Sequence, residues 1–377
     1  MTRALILGGG MVGSAMAMDL ARDADFAVTV ADRDPDALDR LTRAYGVSTE
    51  RADLGDPAEI HRLAAQADIV LGALSSAMGM QTLRTVIETR TPYVDISFMA
   101  EDPLTLRDEA RAAGVPIVVD CGVAPGTSNM IAGYAVAQLD PCEELEIFVG
   151  GVPAQRRWPF EFKVGFAPID VIEEYTRPAR VVEHGQVVTY PALSGIEHVD
   201  IEGLGTLEAF NTDGLRTLAQ TLDVPTMREK TMRYPGHADK MRVLRECGFF
   251  CEEPLDIDGV QVSPLSVTAK LLFPMWTYED GEVDLTVLQV TARGKKDGQD
   301  TTLRWDMIDR YDPATGFRSM SRTTGFPATV VARLIAADRF TEPGLHPPEV
   351  LGAKPGLLDE ILEALAQRGI EYRFSAS

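Results

Sequence analysis

The chain opens on an apolar run, Ala4-Leu5-Ile6-Leu7, that empties straight into Gly8-Gly9-Gly10-Met11-Val12-Gly13. A helical pattern follows at once. A second apolar run, beginning at Phe26, closes on Asp32. A strand, a G-x-G-x-x-G turn, a helix and a second strand ending in an acid make a seat for a dinucleotide. Gly8 permits the tight turn out of the strand. Gly10 has no side chain to hold off a pyrophosphate, and Gly13 lets the helix lie close to the sheet. The helix start, with Met11 and Val12 in its first turn, offers unpaired N–H groups to phosphate. Asp32 stands where an acid accepts from a ribose 2′-OH. A carboxylate there repels a 2′-phosphate, so the expected cofactor is NAD in preference to NADP. Arg33 and Arg40 are close enough in sequence to weigh on the other side.

Apolar runs continue to alternate with helical patterns as far as residue 122. Strands are expected at 4–7, 27–31, 69–74, 93–96 and 116–119, with a weaker one before Asp53; helices are expected at 57–67, 80–89 and 103–113. Continuous apolar strands joined by helical crossovers imply a doubly wound parallel sheet, a Rossmann domain in an α/β fold. Its ligands lie beyond the carboxyl ends of the strands. Those ends carry Asp53 and Ser75, expected at the cofactor, and Asp95 and Asp120, expected at the reacting carbon. The run Gly122-Val123-Ala124-Pro125-Gly126 then brings backbone N–H groups of Gly122 and Val123 towards the nicotinamide or the substrate.

After residue 122 the pattern changes. Two alternating hairpins surround residues 183–186 and 294–298, and helices are expected at 214–222, 238–247 and 264–272. We therefore expect a Rossmann domain over 1–122, an inserted α+β domain over 123–323, and a C-terminal return over 324–377 that packs on the Rossmann domain. One face of the inserted sheet must be covered, and a homodimer or larger homo-oligomer is one way to cover it. With 36 Lys and Arg against 57 Asp and Glu, the net charge of −21 argues against a nucleic-acid partner. The four cysteines form no C-x-x-C pair and have no histidine at ligand spacing, so no metal site is expected. The apolar first strand is not a signal peptide, and no run is long enough to span a bilayer. A soluble, cytoplasmic protein is the expectation.

Four further segments narrow the reading. They are Gly122-Val123-Ala124-Pro125-Gly126-Thr127-Ser128-Asn129, Leu207-Glu208-Ala209-Phe210-Asn211-Thr212-Asp213-Gly214, Thr231-Met232-Arg233-Tyr234-Pro235-Gly236-His237 and Gly344-Leu345-His346-Pro347-Pro348-Glu349. Together they resemble the reductase-type saccharopine dehydrogenase family, and within it most resemble the lysine 6-dehydrogenases. The resemblance implies a dinucleotide domain, an inserted domain for substrate binding and dimerisation, and chemistry at a carbon bearing an amine. The implied reaction is NAD-dependent oxidation of the ε-amine carbon of L-lysine, or of a close cationic amino acid. Its product, 2-aminoadipate 6-semialdehyde, cyclises to a piperideine carboxylate. Two alternatives stand beside it: a saccharopine-type reductase that forms or cleaves a secondary amine, and a non-catalytic protein that binds NAD.

Hydride leaves a carbon only when the attached nitrogen can donate its lone pair, so the site must take a proton from an ammonium or disfavour it by burial. His237 is a candidate acceptor, or a cap for the helix that begins there. Asp95 and Asp120 are candidates for contacting the ammonium or the water, or are turn acids. Arg233, carried by the family motif, is a candidate anchor for the α-carboxylate, or half of a structural ion pair. Asp213 is either a substrate contact or a turn residue. The resemblance also implies that Lys163 and Tyr175 lie near the substrate.

Overall fold

The computed structural model describes residues 1–279 and 281–377. It forms two compact units. One comprises Met1–Gln138 with Ser321–Tyr372, the other Leu139–Met320 with Arg373–Ser377.

In the first unit, the strands Thr2–Leu7, Phe26–Asp32, Ser48–Arg51, Ile69–Gly72, Tyr93–Asp95 and Pro116–Val118 line up in the order 3-2-1-4-5-6, all parallel. This is the doubly wound order, and the first strand lies at its switch point. The strands are apolar on both faces because helices cover both. Ile6, Leu7, Val70, Leu71, Val94 and Val118 are fully buried.

A seventh strand, Gly344–His346, adds in parallel beside Pro116–Val118. The proline-rich composition around it hid this strand from the sequence reading. It is three residues long and lies at the edge, where neighbouring prolines cost no ladder bond.

By compactness the first unit extends past the expected boundary at 122, through Gln138. Helix Thr127–Gln138 crosses helix Pro348–Gly352 at backbone contact: a Cβ on Gly133 would stand 2.1 Å from the Glu349 carbonyl oxygen. Such an approach fixes the helix within the first unit. The C-terminal return is tied to helix Met11–Ala21 by buried Asp19, whose carboxylate accepts from Thr329 Oγ1 at 2.5 Å, Arg333 Nη1 at 2.7 Å and Arg368 Nε at 2.8 Å. Only the last residues depart from that pattern. Strand Arg373–Ala376 pairs with Gln299–Arg310 in the second unit.

The second unit is built on a nine-stranded mixed sheet. Strand Cys142–Pro153 pairs in parallel with Thr226–Arg233 and antiparallel with Asp284–Lys296. Both expected hairpins form, Ala179–Glu183 with Gln186–Tyr190 and Asp284–Lys296 with Gln299–Arg310. Their turn residues His184–Gly185 and Asp297–Gly298 all have positive φ, the type I′ geometry that matches strand twist.

Helices Pro168–Thr176, His237–Glu246 and Pro264–Trp276 enclose a core of Phe162, Tyr175, Phe210, Met241 and Trp276. The helix expected at 214–222 shrinks to Leu218–Thr221. Arg216 takes a φ of 51°, a left-handed conformation that a right-handed helix cannot pass through, so the helix starts only after it. Among the described residues no helix is long and apolar enough to cross a membrane.

Candidate functional site

In the first unit, Gly8 leaves the first strand at φ 105°, and a Cβ there would stand 2.6 Å from the Ala73 carbonyl oxygen. A Cβ on Gly13 would stand 1.9 Å from the Gly8 carbonyl oxygen. Those two glycines are demanded by the fold.

Gly10 is different. As the N-cap of helix Met11–Ala21 it has φ −73° and ψ −162°, extended backbone that any residue adopts, and a Cβ on it would meet no atom within 4 Å. Neither backbone nor packing requires a glycine, whereas a pyrophosphate lying on the helix N-terminus would. The cradle therefore fits a dinucleotide. Met11 and Val12 form the first turn above it, Met11 exposed and Val12 buried. Asp32 closes the cradle from the side. Its Oδ2 accepts from the Gly9 N–H at 2.6 Å and its Oδ1 from the Asp34 N–H at 2.9 Å. These bonds fix the carboxylate next to the glycine loop and leave lone pairs for a ribose hydroxyl.

The other strand ends divide. Asp53 is exposed and accepts from the Gly55 N–H at 3.0 Å, a turn contact. Ser75 is half-buried at the N-cap of helix Ser76–Thr89, with its hydroxyl making no cap bond. Gly122 donates its N–H to the Pro125 carbonyl at 3.1 Å, so that group is not free for a cofactor, and Val123 is buried.

Asp95 is 1% exposed; Tyr93 donates to it at 3.0 Å, and Ser97 donates to its other oxygen. Burial pushes the Asp95 carboxyl up to about 7, helped by the neighbouring Asp120 charge and opposed by those hydrogen bonds. Asp120 is buried as well, at φ 52°. Tyr93 and Ser97 flank Asp95 two residues to either side. The sequence sets Ser97 beside Asp95 at the strand end, whereas nothing there singles out Tyr93.

In the second unit, adjacent strands place Glu208, Phe210 and Thr212 beside Arg233, Thr231 and Glu229 on one sheet face. Arg233 is 3% exposed. It donates to Glu174 at 2.6 Å and to the Met232 carbonyl at 2.9 Å, and it lies 4.8 Å over the Phe162 ring. It is thus half of a buried ion pair, with its Nε left without an acceptor.

His237 is also tied on both sides. Its Nδ1 lies 3.1 Å from the Phe160 carbonyl, which can only accept, so Nδ1 carries the proton. Nε2 then accepts from the Tyr175 hydroxyl at 2.8 Å. Burial, with Arg233 nearby, holds its pKa down to about 3. The imidazole stays neutral with no nitrogen left for a substrate proton, so the structure assigns it a packing role. Nor does it cap its helix: Glu208 does, accepting from the Gly236 and Ala238 N–H groups at 2.8 and 2.7 Å. Tyr175 is fully buried, and burial pushes its phenol up.

Asp213 is held by Arg180 in a two-pronged contact at 2.8 and 2.9 Å, which is structural. Lys163 Nζ donates to the Thr277 carbonyl at 2.7 Å and pairs with Glu282 at 3.1 Å. It lines a cleft of about 200 Å³ with Arg157, Trp158, Phe160, Phe162, Met275 and Glu279. Glu229, which sequence reasoning passed over, is buried and accepts from Thr212 at 2.7 Å; burial pushes it up to about 8. No motif marks Glu229, Glu174 or Glu208, because each is recognisable only once the strands are paired.

Comparison with known proteins divides the chain near residue 120, where the dinucleotide-domain match ends. Residues 4–118 match the model of the saccharopine dehydrogenase NADP binding domain, and residues 122–370 that of the saccharopine dehydrogenase C-terminal domain. The chain is 20% identical to the saccharopine dehydrogenase [NADP(+), L-glutamate-forming] of Saccharomyces cerevisiae, over 97% of this chain and 96% of that one. It is 21% identical to the carboxynorspermidine synthase of Vibrio cholerae, over 94% and 93%. It is also 21% identical to the bovine mitochondrial alpha-aminoadipic semialdehyde synthase, over 98% of this chain but only 47% of that protein, so it spans about half the length of that relative. The solved structure of the apo saccharopine dehydrogenase (L-Glu forming) from Saccharomyces cerevisiae superposes with a TM-score of 0.82 at 19% identity, covering all of both chains.

Proposed function

The chain belongs to the saccharopine dehydrogenase family, and on that premise we propose that it is a nicotinamide-dependent oxidoreductase acting at an amine-bearing carbon of an amino acid. The observation that carries the proposal is the Gly10 position, a glycine that only a ligand explains. A bound nicotinamide supplies the hydride acceptor or donor. The chain's own residues do the rest. The glycine loop and the N-terminus of helix Met11–Ala21 hold the diphosphate. Asp32 accepts from the ribose, and we assign NAD on that ground, although the matched domain and the yeast relative are named for NADP. Asp95, poised near neutrality, is the group in the first unit suited to holding the proton that an ammonium must lose before hydride transfer, with Ser97 at its oxygen to pass it.

For the substrate, our first reading is L-lysine, oxidised at its ε-carbon. It is supported by the acids near Arg233: burial and the Asp170 charge raise the Glu174 carboxyl, and burial and the Glu174 charge raise Glu229, a crowding of carboxyl groups that a cationic amine would relieve. The second reading, a secondary amine of the saccharopine type, is supported by the names of the relatives.

The test is direct. The protein is incubated with NAD or NADP and with L-lysine, L-ornithine or saccharopine, and the absorbance of the reduced cofactor is followed. Turnover with lysine and NAD upholds the first reading. Turnover with saccharopine alone upholds the second. Binding of NAD with no turnover on any amine contradicts both. A preference for NADP removes the role given to Asp32.

A further inference from the structure

Two consecutive elements of the second unit turn apolar faces to solvent. Strands Leu255–Ile257 and Val260–Val262 form a hairpin that pairs with no third strand among the described residues. Leu255 lies opposite Val262 and Ile257 opposite Val260, so all four side chains share one face. The other face carries Asp256 and Gln261, joined by a hydrogen bond at 3.0 Å. Helix Pro264–Trp276 follows. Its Thr268, Leu272 and Trp276 turn inward and are buried, while Val267, Leu271 and Met275 repeat at the same spacing on an exposed stripe. Leu255, Ile257, Val260, Val267, Leu271 and Met275 are all between 45% (Val267) and 63% (Leu271) exposed.

The hairpin leaves the unit from a fixed stem. The Leu265 N–H donates to the Cys251 carbonyl at 3.0 Å, and Thr268 Oγ1 to the Phe249 carbonyl at 2.8 Å, so the chain enters and leaves the hairpin at the start of the helix. A two-stranded hairpin by itself is marginal in water, and an apolar patch rimmed by charge marks an interaction surface.

Charge identifies the occupant. Residues 252–262 hold four acids, Glu252, Glu253, Asp256 and Asp258, and no base; residues 264–276 hold one base, Lys270, and no acid. Lys270 borders the exposed stripe, next to Leu271 and three residues from Val267. Among the described residues Lys270, Glu252, Glu253 and Asp258 make no ion pair. An acidic arm followed by a basic helix is complementary to itself under a two-fold rotation, in which each arm meets the helix of the other copy. The same acids repel an anionic membrane surface. The six exposed side chains offer on the order of 500 Å² of apolar surface, the apolar share of the roughly 800 Å² per partner that a standard interface buries.

We propose that the arm Leu255–Val262 and the exposed stripe of helix Pro264–Trp276 form a two-fold interface with a second copy of this chain. Each arm lays Leu255, Ile257 and Val260 across Val267, Leu271 and Met275 of the other copy. Asp258, at the turn of the arm, approaches Lys270 of the other copy. This assembly stands apart from the proposed reaction and does not depend on it.

The test is sedimentation velocity on the full chain from about 0.5 to 50 µM, the range in which an interface of this size associates. The mass should rise with concentration from 41.1 kDa to twice that value, and added salt should weaken the association. Leu271→Asp places a charge in the stripe and should weaken it at least about 100-fold. Lys270→Glu should weaken it about 3- to 10-fold, and adding Asp258→Lys should restore most of that loss, because the swapped charges still face each other.

Hydrogen exchange on the wild type decides the matter should Leu271→Asp fail to fold. The amides of residues 255–262 should exchange more slowly at high protein concentration than at low. A chain that stays at 41.1 kDa throughout overturns the proposal, whether or not it binds vesicles or another protein. So does a dimer that Leu271→Asp leaves intact, or one whose arm amides exchange alike at both concentrations, since the contact then lies on another face.

Discussion

The two units use their polar groups in opposite ways. The first uses backbone: a turn of glycines, a helix N-terminus and one carboxylate pinned by two N–H groups. The second uses side chains: Arg233 with Glu174, Arg180 with Asp213, Lys163 with Glu282, and Tyr175 with His237. A backbone site is written in local sequence, because a glycine at a given spacing has few other reasons to be there. A side-chain network is written in tertiary pairing, and its members look alike whether they hold a ligand or each other.

The sharpest way to break this comparison is Gly13→Ala. The added methyl would overlap a carbonyl oxygen at 1.9 Å, so the first unit should lose more than about 3 kcal/mol of stability. Denaturant unfolding checks this, and a variant of native stability would mean that the loop has freedom the structure does not display.

Arg233→Ala should come next, at about 3–5 kcal/mol, because it strands Glu174 and removes a cation from the Phe162 face. Unfolding and kinetics together decide the point. A raised KM at unchanged stability would return Arg233 to the substrate and erase the contrast between the units.

A smaller effect should depend on pH. The Asp95 carboxyl sits near 7 in the fold against an ordinary 3.8, so the folded chain holds a proton there that the unfolded chain has lost. Stability from that proton is complete below about pH 4 and disappears as pH rises through 7. Asp95→Asn should therefore match the wild type in acid and exceed it at pH 9, by something of order 2–4 kcal/mol. Thermal midpoints across that range check the sign, and a difference that does not vary with pH contradicts it. Asp53→Ala should do least, within about 0.5 kcal/mol and without effect on cofactor affinity, because Asp53 serves only an exposed turn.

The same contrast explains what could be read in the sequence. The parallel, doubly wound sheet of the first unit and the glycine turn out of its first strand were legible because periodicity and glycine spacing are local. Strand Gly344–His346 was not, since three edge residues among prolines carry no periodicity. The hairpin at 294–298 was legible from its turn chemistry, whereas Gly214–Leu222 misled because Arg216 takes a left-handed φ of 51° that the local pattern does not announce. His237 looked like a base on composition, yet the Phe160 carbonyl and Tyr175 fix its tautomer and close both nitrogens.

The central claim is that the amino-terminal glycines seat a nicotinamide dinucleotide, and Gly10→Ala tests it most directly. Without cofactor, the variant should melt within about 1 °C of the wild type, because its methyl meets no protein atom within 4 Å. With NAD added, the wild type should melt higher and the variant should gain little, as its affinity falls by roughly tenfold or more. An equal rise in both proteins would contradict the account.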